Sequence, residues 1–228
     1  MSPLSPDELT ATLARLRATR ERVLVRRSVN DILSAIDQVI SRFLDQTSAE
    51  RQEAEARLPE ETGLSPAMIQ HTLPLLFREY QGSKLLELLE DEFGTESRLD
   101  RFEPTLTGER GVFGLPLIVH ILAGNIPGAG IDGVIFALLV KSAALVKTAS
   151  GSHILPMLFA RTLATVDQEL ADCLAVTTWP GGAKALEDIA FRQADIVIAS
   201  GSDESLASIR QRVRGRFRGR RDNGKSVS

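Results

Sequence analysis

Residues 115–152 read LPLIVHILAGNIPGAGIDGVIFALLVKSAALVKTASGS, and the order of textures inside that stretch decides the fold. Leu115 to Ala123 is almost uniformly apolar, the composition of a strand buried on both faces of a parallel sheet. Ile131 to Val140 is apolar all round at helical length, and Ala144 to Ala149 is a second apolar strand. Strand, glycine-rich turn, helix and strand in that order make one βαβ unit, whose crossover is right-handed.

Toward the C-terminus the alternation continues with a helix from His153 to Leu170, a strand from Leu174 to Trp179 and a helix from Ala183 to Arg192. A strand from Ala194 to Ser200 and a helix from Asp203 to Arg212 complete it. The spacing predicts an α/β fold with a doubly wound parallel sheet over residues 111–212. No internal repeat is visible beyond the alternation itself.

Toward the N-terminus, residues 1–110 read as a helical region. Pro6 and Asp7 open an apolar-periodic run through Leu9, Leu13 and Leu16. Ser28, with Asp31 three residues on, resembles a capping box before Ile32, Ile36, Ile40 and Phe43. The stretch DQTSAERQEAEARLPEETG is charged and nearly free of large apolar residues, which fits a solvated helix or a mobile linker. Ser65 and Pro66 start a helix carrying Ile69, Leu73 and Phe77, and another runs from Ser83 to Phe93 and stops at Gly94. Pro104 to Gly114 reads as a loop.

With 228 residues, 43% of them hydrophobic, the chain can bury a substantial core. A net charge of -3 argues against a nucleic-acid partner. One cysteine excludes an internal disulfide and a cysteine-rich metal cluster, so no metal site is expected. The start MSPLSPDELTATLARLR lacks the apolar segment of a signal peptide, which makes the cytoplasm the expected location. Ile126 to Val146 has the length of a membrane span but contains Pro127, Asp132 and Lys141, and a buried helix followed by a buried strand explains it better.

In open α/β sheets ligands lie at the carboxyl ends of the strands. Binding residues are therefore sought in four turns: GNIPG, LVKTASGS, WPGG and ASGSDES. The first contains a GxGxxG pattern at Gly128, Gly130 and Gly133, between a strand and a helix as a dinucleotide fingerprint requires. That fingerprint also uses an acidic residue about twenty positions later for the ribose hydroxyls. From Gly133 to Val166 there is none. Instead Lys147 closes the second strand, followed by Thr148, Ser150 and Ser152. A cation and hydroxyls suit a ribose bearing a 2′-phosphate, or an adenine nucleotide held without a carboxylate.

Each of these residues also has a plain structural reading. Asn125 before Ile-Pro-Gly is a normal turn residue, Lys147 at a strand end can be a solvated charge, and Gly201-Ser202-Asp203 is a good helix start by capping alone. His120, inside the first buried strand, reads as a satisfied core histidine. His153 reads as a first-turn residue near enough to Ser152 to touch a phosphate.

In order and at consistent spacing, GNIP, ALVKTASGS, WPGG and ADIVIASGSDES resemble the fatty acyl-CoA reductases of the bacterial bioluminescence type (LuxC-like), relatives of the aldehyde dehydrogenases. The resemblance covers about Gly111 to Arg212 well and the helical front half loosely. It implies a Rossmann-like cofactor domain of aldehyde dehydrogenase type, NADPH (NADP) in preference to NAD, and reduction of a fatty acyl thioester, on CoA or on a protein, to the aldehyde. Light production is not implied.

Position by position, the resemblance makes Asn125 the catalytic donor to the developing oxyanion, a role worth about 3 kcal/mol for comparable donors. It assigns Lys147 and Ser150 to the adenosine ribose or its phosphate. Gly181 and Gly182 allow close backbone approach on the adenine side, and Gly201 and Ser202 open the last helix toward the pyrophosphate. Leu206 departs from the wider pattern, which often has a second glycine there.

The family's reaction passes the acyl group through a cysteine. Cys173 precedes the third strand, on the amino side of the sheet, where a small buried hydrophobe is expected. The family's nucleophile belongs to a second α/β domain, so the expectation is a chain that stops short of it. Residues 213–228 are then a basic disordered tail or a frame-altered or prematurely stopped end. The leading reading is the cofactor-binding half of an NADPH-dependent acyl-CoA reductase, inactive alone. The alternatives are a non-catalytic nucleotide-binding fragment or half of a split enzyme, and an ordinary dehydrogenase using Gly128, Gly130 and Gly133. Partners expected are an acyl-CoA or acyl-protein substrate and a separate cysteine-bearing domain, with room for a homo-oligomer.

Overall fold

A computed structural model describes residues 4–122, 130–149 and 151–217. Helix α1, Pro6–Arg22, starts in a capping box in which Ser5 Oγ accepts from the Glu8 amide and Glu8 accepts from the Ser5 amide. Helix α2, Val29–Leu44, is capped by Ser28, whose side chain accepts from the Asp31 amide. Asp31 does not complete a box there: its carboxylate accepts from Ser28 Oγ, and Asp100 takes the Val29 amide.

Helix α3, Ala49–Thr62, is the charged stretch, and one residue explains why it is an ordered helix. Arg51 is 1% exposed and donates to Glu55 and to the carbonyls of Phe43 and Gln70, joining α3 to the end of α2 and to α4, Pro66–Arg78. Phe43 and Phe77 stack across α2 and α4 at 4.4 Å. Helix α5, Gly82–Phe93, ends at Gly94 with φ 79°, a left-handed cap that suits glycine.

The Pro104 to Gly114 segment, expected as a loop, contains a short antiparallel ribbon, β1 Glu103–Thr105 and β2 Gly108–Arg110. Strands of three residues with a Thr-Leu-Thr-Gly turn carry too little apolar alternation to be read in advance.

The main sheet contains β3 Leu117–Ile121, β4 Ala143–Thr148, β5 Leu174–Thr178 and β6 Ile196–Ala199, in the order β5-β4-β3-β6 and parallel throughout. Every residue of β3 and β4 is buried, the mostly apolar runs taking His120, Lys147 and Thr148 into the interior with them. The chain moves one way from β3 through β4 to β5, then returns to β3's other edge, so the winding reverses between β3 and β6.

The crossovers are α6 Ile131–Leu139, α7 Ile154–Val166 with α8 Gln168–Ala171, and α9 Lys184–Gln193. The single helix expected from His153 to Leu170 is broken at Asp167, which leaves helical geometry and caps α8 by accepting from the Leu170 amide. Helix α10, Asp203–Phe217, runs past Arg212.

Two cores flank the sheet. Ile118, Ala144 and Val146 face a large cluster built with α2, α6 and α7. Leu117, Val119 and Leu145 face a second cluster made with Leu9, Leu13 and Leu16 of α1 and Leu186 and Ala190 of α9. The first helix of the chain thus covers the sheet's opposite face. Fully burying each of those three leucines contributes about 1.5–3 kcal/mol.

Candidate functional site

Parallel pairing aligns the carboxyl ends of all four strands. Lys147 is in register with Ile121 on one side and Thr177 on the other, and Ile121 with Ala199. The row is closed by backbone bonds from Leu122 to the Lys147 carbonyl and from Ser200 to the Ile121 carbonyl, at 3.0 and 2.9 Å. The turns that follow β4, β5 and β6 therefore leave the same edge of the sheet.

Lys147 is 7% exposed. Strand alternation puts it on the face of Leu145, toward α1 and α9. Burial lowers its pKa from the ordinary lysine value, against the opposing charge of Glu187 on α9. Among the described residues no carboxylate lies within ion-pair distance of its ammonium group. A buried, unneutralised cation at a strand end is the reverse of the solvated charge that sequence alone allowed.

Gly181 and Gly182 form the turn after β5. Gly182 has φ 78°, and a Cβ on either glycine would meet no atom within 4 Å. They border open space, which is the condition for close approach of a flat ligand. The Gly182 amide donates to Glu187 Oε1 at 3.1 Å, and Arg212 of α10 pairs with Glu187 Oε2. Trp179, 4% exposed in the same turn, has an indole N–H with no acceptor.

Gly201 and Ser202 open α10, both exposed. Ser202 Oγ accepts from the Ser205 amide at 3.3 Å, so this hydroxyl serves as a helix cap. Asn125, Gly128 and Ser150 lie outside the described residues.

Gly130 and Gly133 have packing explanations. Gly130 has φ 93°, and a Cβ there would come within 2.3 Å of Leu122. A Cβ on Gly133 would lie 2.7 Å from the His120 ring, so this glycine lets α6 settle onto β3. His120 itself is 2% exposed, and burial pulls its pKa down to about 4 against the nearby Asp132 charge. Its Nε2 has no hydrogen-bond partner, so it is a core histidine but not the satisfied one expected.

His153 is also engaged differently from the expectation. Glu61, at the end of α3, accepts from the His153 and Ile154 amides at 2.6 and 3.0 Å and from His153 Nδ1 at 2.7 Å. A carboxylate from the helical region thus occupies the N-terminus of α7, where the helix dipole favours negative charge. No local signal in the sequence identifies Glu61 or Glu187 for these positions. Both acids arrive from distant or following helices.

Cys173 is fully buried, its thiol pushed up to about 12 by burial, and its carbonyl accepts from the Ala144 amide at the start of β4. That places it at the amino edge of the sheet, across the strands from Lys147. Among the described residues no group of three His, Cys, Asp or Glu side chains is placed to hold a metal ion. No helix among them is long and apolar enough to cross a membrane.

The fold is shared with solved aldehyde dehydrogenases. An NAD-dependent aldehyde dehydrogenase from Sinorhizobium meliloti superposes with a TM-score of 0.76 at 12% identity, over 93% of this chain and 41% of that one. A succinic semialdehyde dehydrogenase from Streptococcus pyogenes, solved in complex with NADP+, superposes with a TM-score of 0.69 at 15% identity, over 95% and 46%.

Residues 24–219 match the acyl-CoA reductase (LuxC) family, and the chain belongs to it. Its curated relatives include long-chain acyl-protein thioester reductase 2 of Photobacterium leiognathi, 29% identical over 133 residues, and the long-chain acyl-protein thioester reductase of Aliivibrio fischeri, also 29% identical. Those alignments take in 54% of this chain and 27% and 26% of the two relatives, so the match spans about a quarter of their length.

Proposed function

We propose that this chain is the cofactor-binding half of an NADPH-dependent reductase that converts a long-chain acyl thioester, on CoA or on a protein, to the aldehyde. The observation carrying this reading is the buried Lys147, held in register with the neighbouring ends of β3 and β5. Residues 111–212 are the nucleotide-binding unit and residues 1–110 its helical support.

The site's chemistry fits an anionic adenine cofactor: an unneutralised cation, a glycine turn open to space and an absence of acidic residues from Gly133 to Val166. Lys147 with Ser150 would hold the ribose or its 2′-phosphate, Gly181 and Gly182 would lie against the adenine side, and Gly201 and Ser202 would face the pyrophosphate. Ser202 can do so only through its amide or by sharing the hydroxyl that caps α10. When bound, the cofactor supplies hydride. Asn125 would donate to the oxygen of the acyl carbonyl as negative charge develops there. The relatives' names as acyl-protein thioester reductases support the substrate class, and the solved neighbours, one an NADP+ complex and one NAD-dependent, support a nicotinamide cofactor, with the preference for NADPH resting on Lys147.

The location of Cys173 favours a second reading alongside the first: a nucleotide-binding fragment, or half of a split enzyme, that needs a thiol from a separate domain. A thiol held near pKa 12 at the far edge of the sheet is no acyl acceptor.

Trp179, the sequence's one tryptophan, lies in the glycine turn and serves as a built-in reporter. Titrating the full chain with NADPH should give energy transfer from Trp179 to the reduced nicotinamide. Lys147→Met should weaken the apparent affinity by at least about tenfold, as removal of a buried cation from an anion site should. Unchanged affinity in the variant would contradict the assignment.

A further inference from the structure

The sequence has no acidic residue where the ribose carboxylate of a dinucleotide site is expected, but a carboxylate from α9 stands beside the glycine turn that follows β5. Glu187 stands on the first turn of α9, its side chain 12% exposed. It is fixed from both ends: Oε1 accepts from the Gly182 amide, and Oε2 pairs with Arg212. Arg212 is itself held, donating to Asp188 at 2.6 Å and to the Lys184 carbonyl at 3.2 Å, with its guanidinium 5.3 Å from the Phe191 ring centre. Two helices are thereby locked so that a carboxylate and a guanidinium lie beside the glycine turn. Glu187 is also the acidic group whose charge acts on Lys147.

We propose that Glu187 and Arg212 set the choice between a 2′-phosphorylated and a 2′-hydroxyl adenine nucleotide by fixing how much negative charge Lys147 faces. This rests on the cofactor reading above and deepens it. With Arg212 in place the Glu187 charge is compensated, and Lys147 remains available to a phosphate. Without Arg212 the same carboxylate competes with the phosphate for Lys147 and repels it. Without the Glu187 charge, Lys147 and Arg212 both favour the phosphate. The two residues are positioning residues, acting through Lys147.

The roles have opposite signs, which a merely structural contribution would not produce. Helix capping by Glu187 and bracing by Arg212 would both weaken all ligands alike when lost. Only the charge account separates the nucleotides.

The test uses the full chain, with adenosine 2′,5′-bisphosphate and 5′-AMP as probes, followed by calorimetry and by Trp179 fluorescence. Wild type should prefer the bisphosphate. Glu187→Gln, which keeps the Gly182 hydrogen bond, should raise that preference about five- to tenfold, the size expected of one charge at a partly screened distance. Arg212→Gln should lower it by a similar factor, Arg212→Lys should restore it, and the double variant Glu187→Gln with Arg212→Gln should return close to wild type. Circular dichroism establishes that each variant is folded, and Arg212→Lys retains the charge should the glutamine variant unfold. Binding with an unchanged preference in Glu187→Gln and in the arginine variants would overturn the inference while leaving the cofactor reading intact. If neither nucleotide binds wild type, the cofactor reading fails and this inference with it.

Discussion

At the scale of single residues, burial rather than identity decides what the ionisable groups can do. His120 sits between α6 and β3 with its pKa at about 4, below the ordinary 6.5, because the site disfavours the imidazolium more than Asp132 supports it. As pH falls below about 6.5 the unfolded chain takes up this proton first and the folded chain does not, so stability is lost progressively down to about pH 4. The loss from this group totals about 3 kcal/mol, and above pH 6.5 it contributes no slope. Urea unfolding across that range should show the slope in wild type and a clear reduction in His120→Gln. An unaltered slope in the variant would assign the acid sensitivity elsewhere. Asp132, in the first turn of α6, is the charged group that acts on this ring.

Helix α3 shows at the scale of elements what the sequence conceals. Its composition is that of a solvated segment, and of its residues only Arg51, Ala54 and Leu58 are buried. No periodicity argument identifies an arginine as the centre of a helix junction. The structure does, through bonds from Arg51 to Glu55, Phe43 and Gln70. Arg51→Met keeps the apolar stem but leaves the buried Phe43 carbonyl, the part-buried Gln70 carbonyl and the Glu55 carboxylate without their donor, which should cost about 1.5–3 kcal/mol. Thermal and denaturant unfolding measure it, and a cost below about 1 kcal/mol would show that water replaces the guanidinium. By contrast α1, α2, α4 and α5 are legible in the sequence because Ser5, Ser28, Ser65 and Gly94 mark their ends chemically. The break at Asp167 was hidden within a continuous helical pattern because a capping aspartate inside such a run resembles any exposed polar position. The β1–β2 ribbon was too short to leave a signal.

At the scale of the whole molecule, the parallel sheet follows from β3 and β4, whose apolar runs demand cover on both faces, while the source of that cover does not. Leu9, Leu13 and Leu16 specify an amphipathic helix, but only the assembled chain shows that α1 packs on β4 and α9, across the sheet from α2. The same distinction holds for the site. Lys147 stands out because a cation closes an otherwise apolar strand, whereas Gly181 and Gly182 are singled out by the family resemblance. Glu187 and Glu61 could not be picked out, since their roles depend on how α9 and α3 dock. The GxGxxG pattern points the other way: Gly130 and Gly133 match the motif, and Leu122 and His120 account for both glycines by packing.

On the proposed reading the four strand ends form one cofactor crevice. Amide hydrogen exchange of the full chain with and without NADPH tests it most directly. The arrangement predicts protection confined to the turns beyond Lys147, around Gly181 to Ala183 and from Gly201 to Ser205. Protection centred elsewhere, such as the polar hollow between α2 and α7 beside Arg27 and Asp167, or none at saturating cofactor, would contradict it.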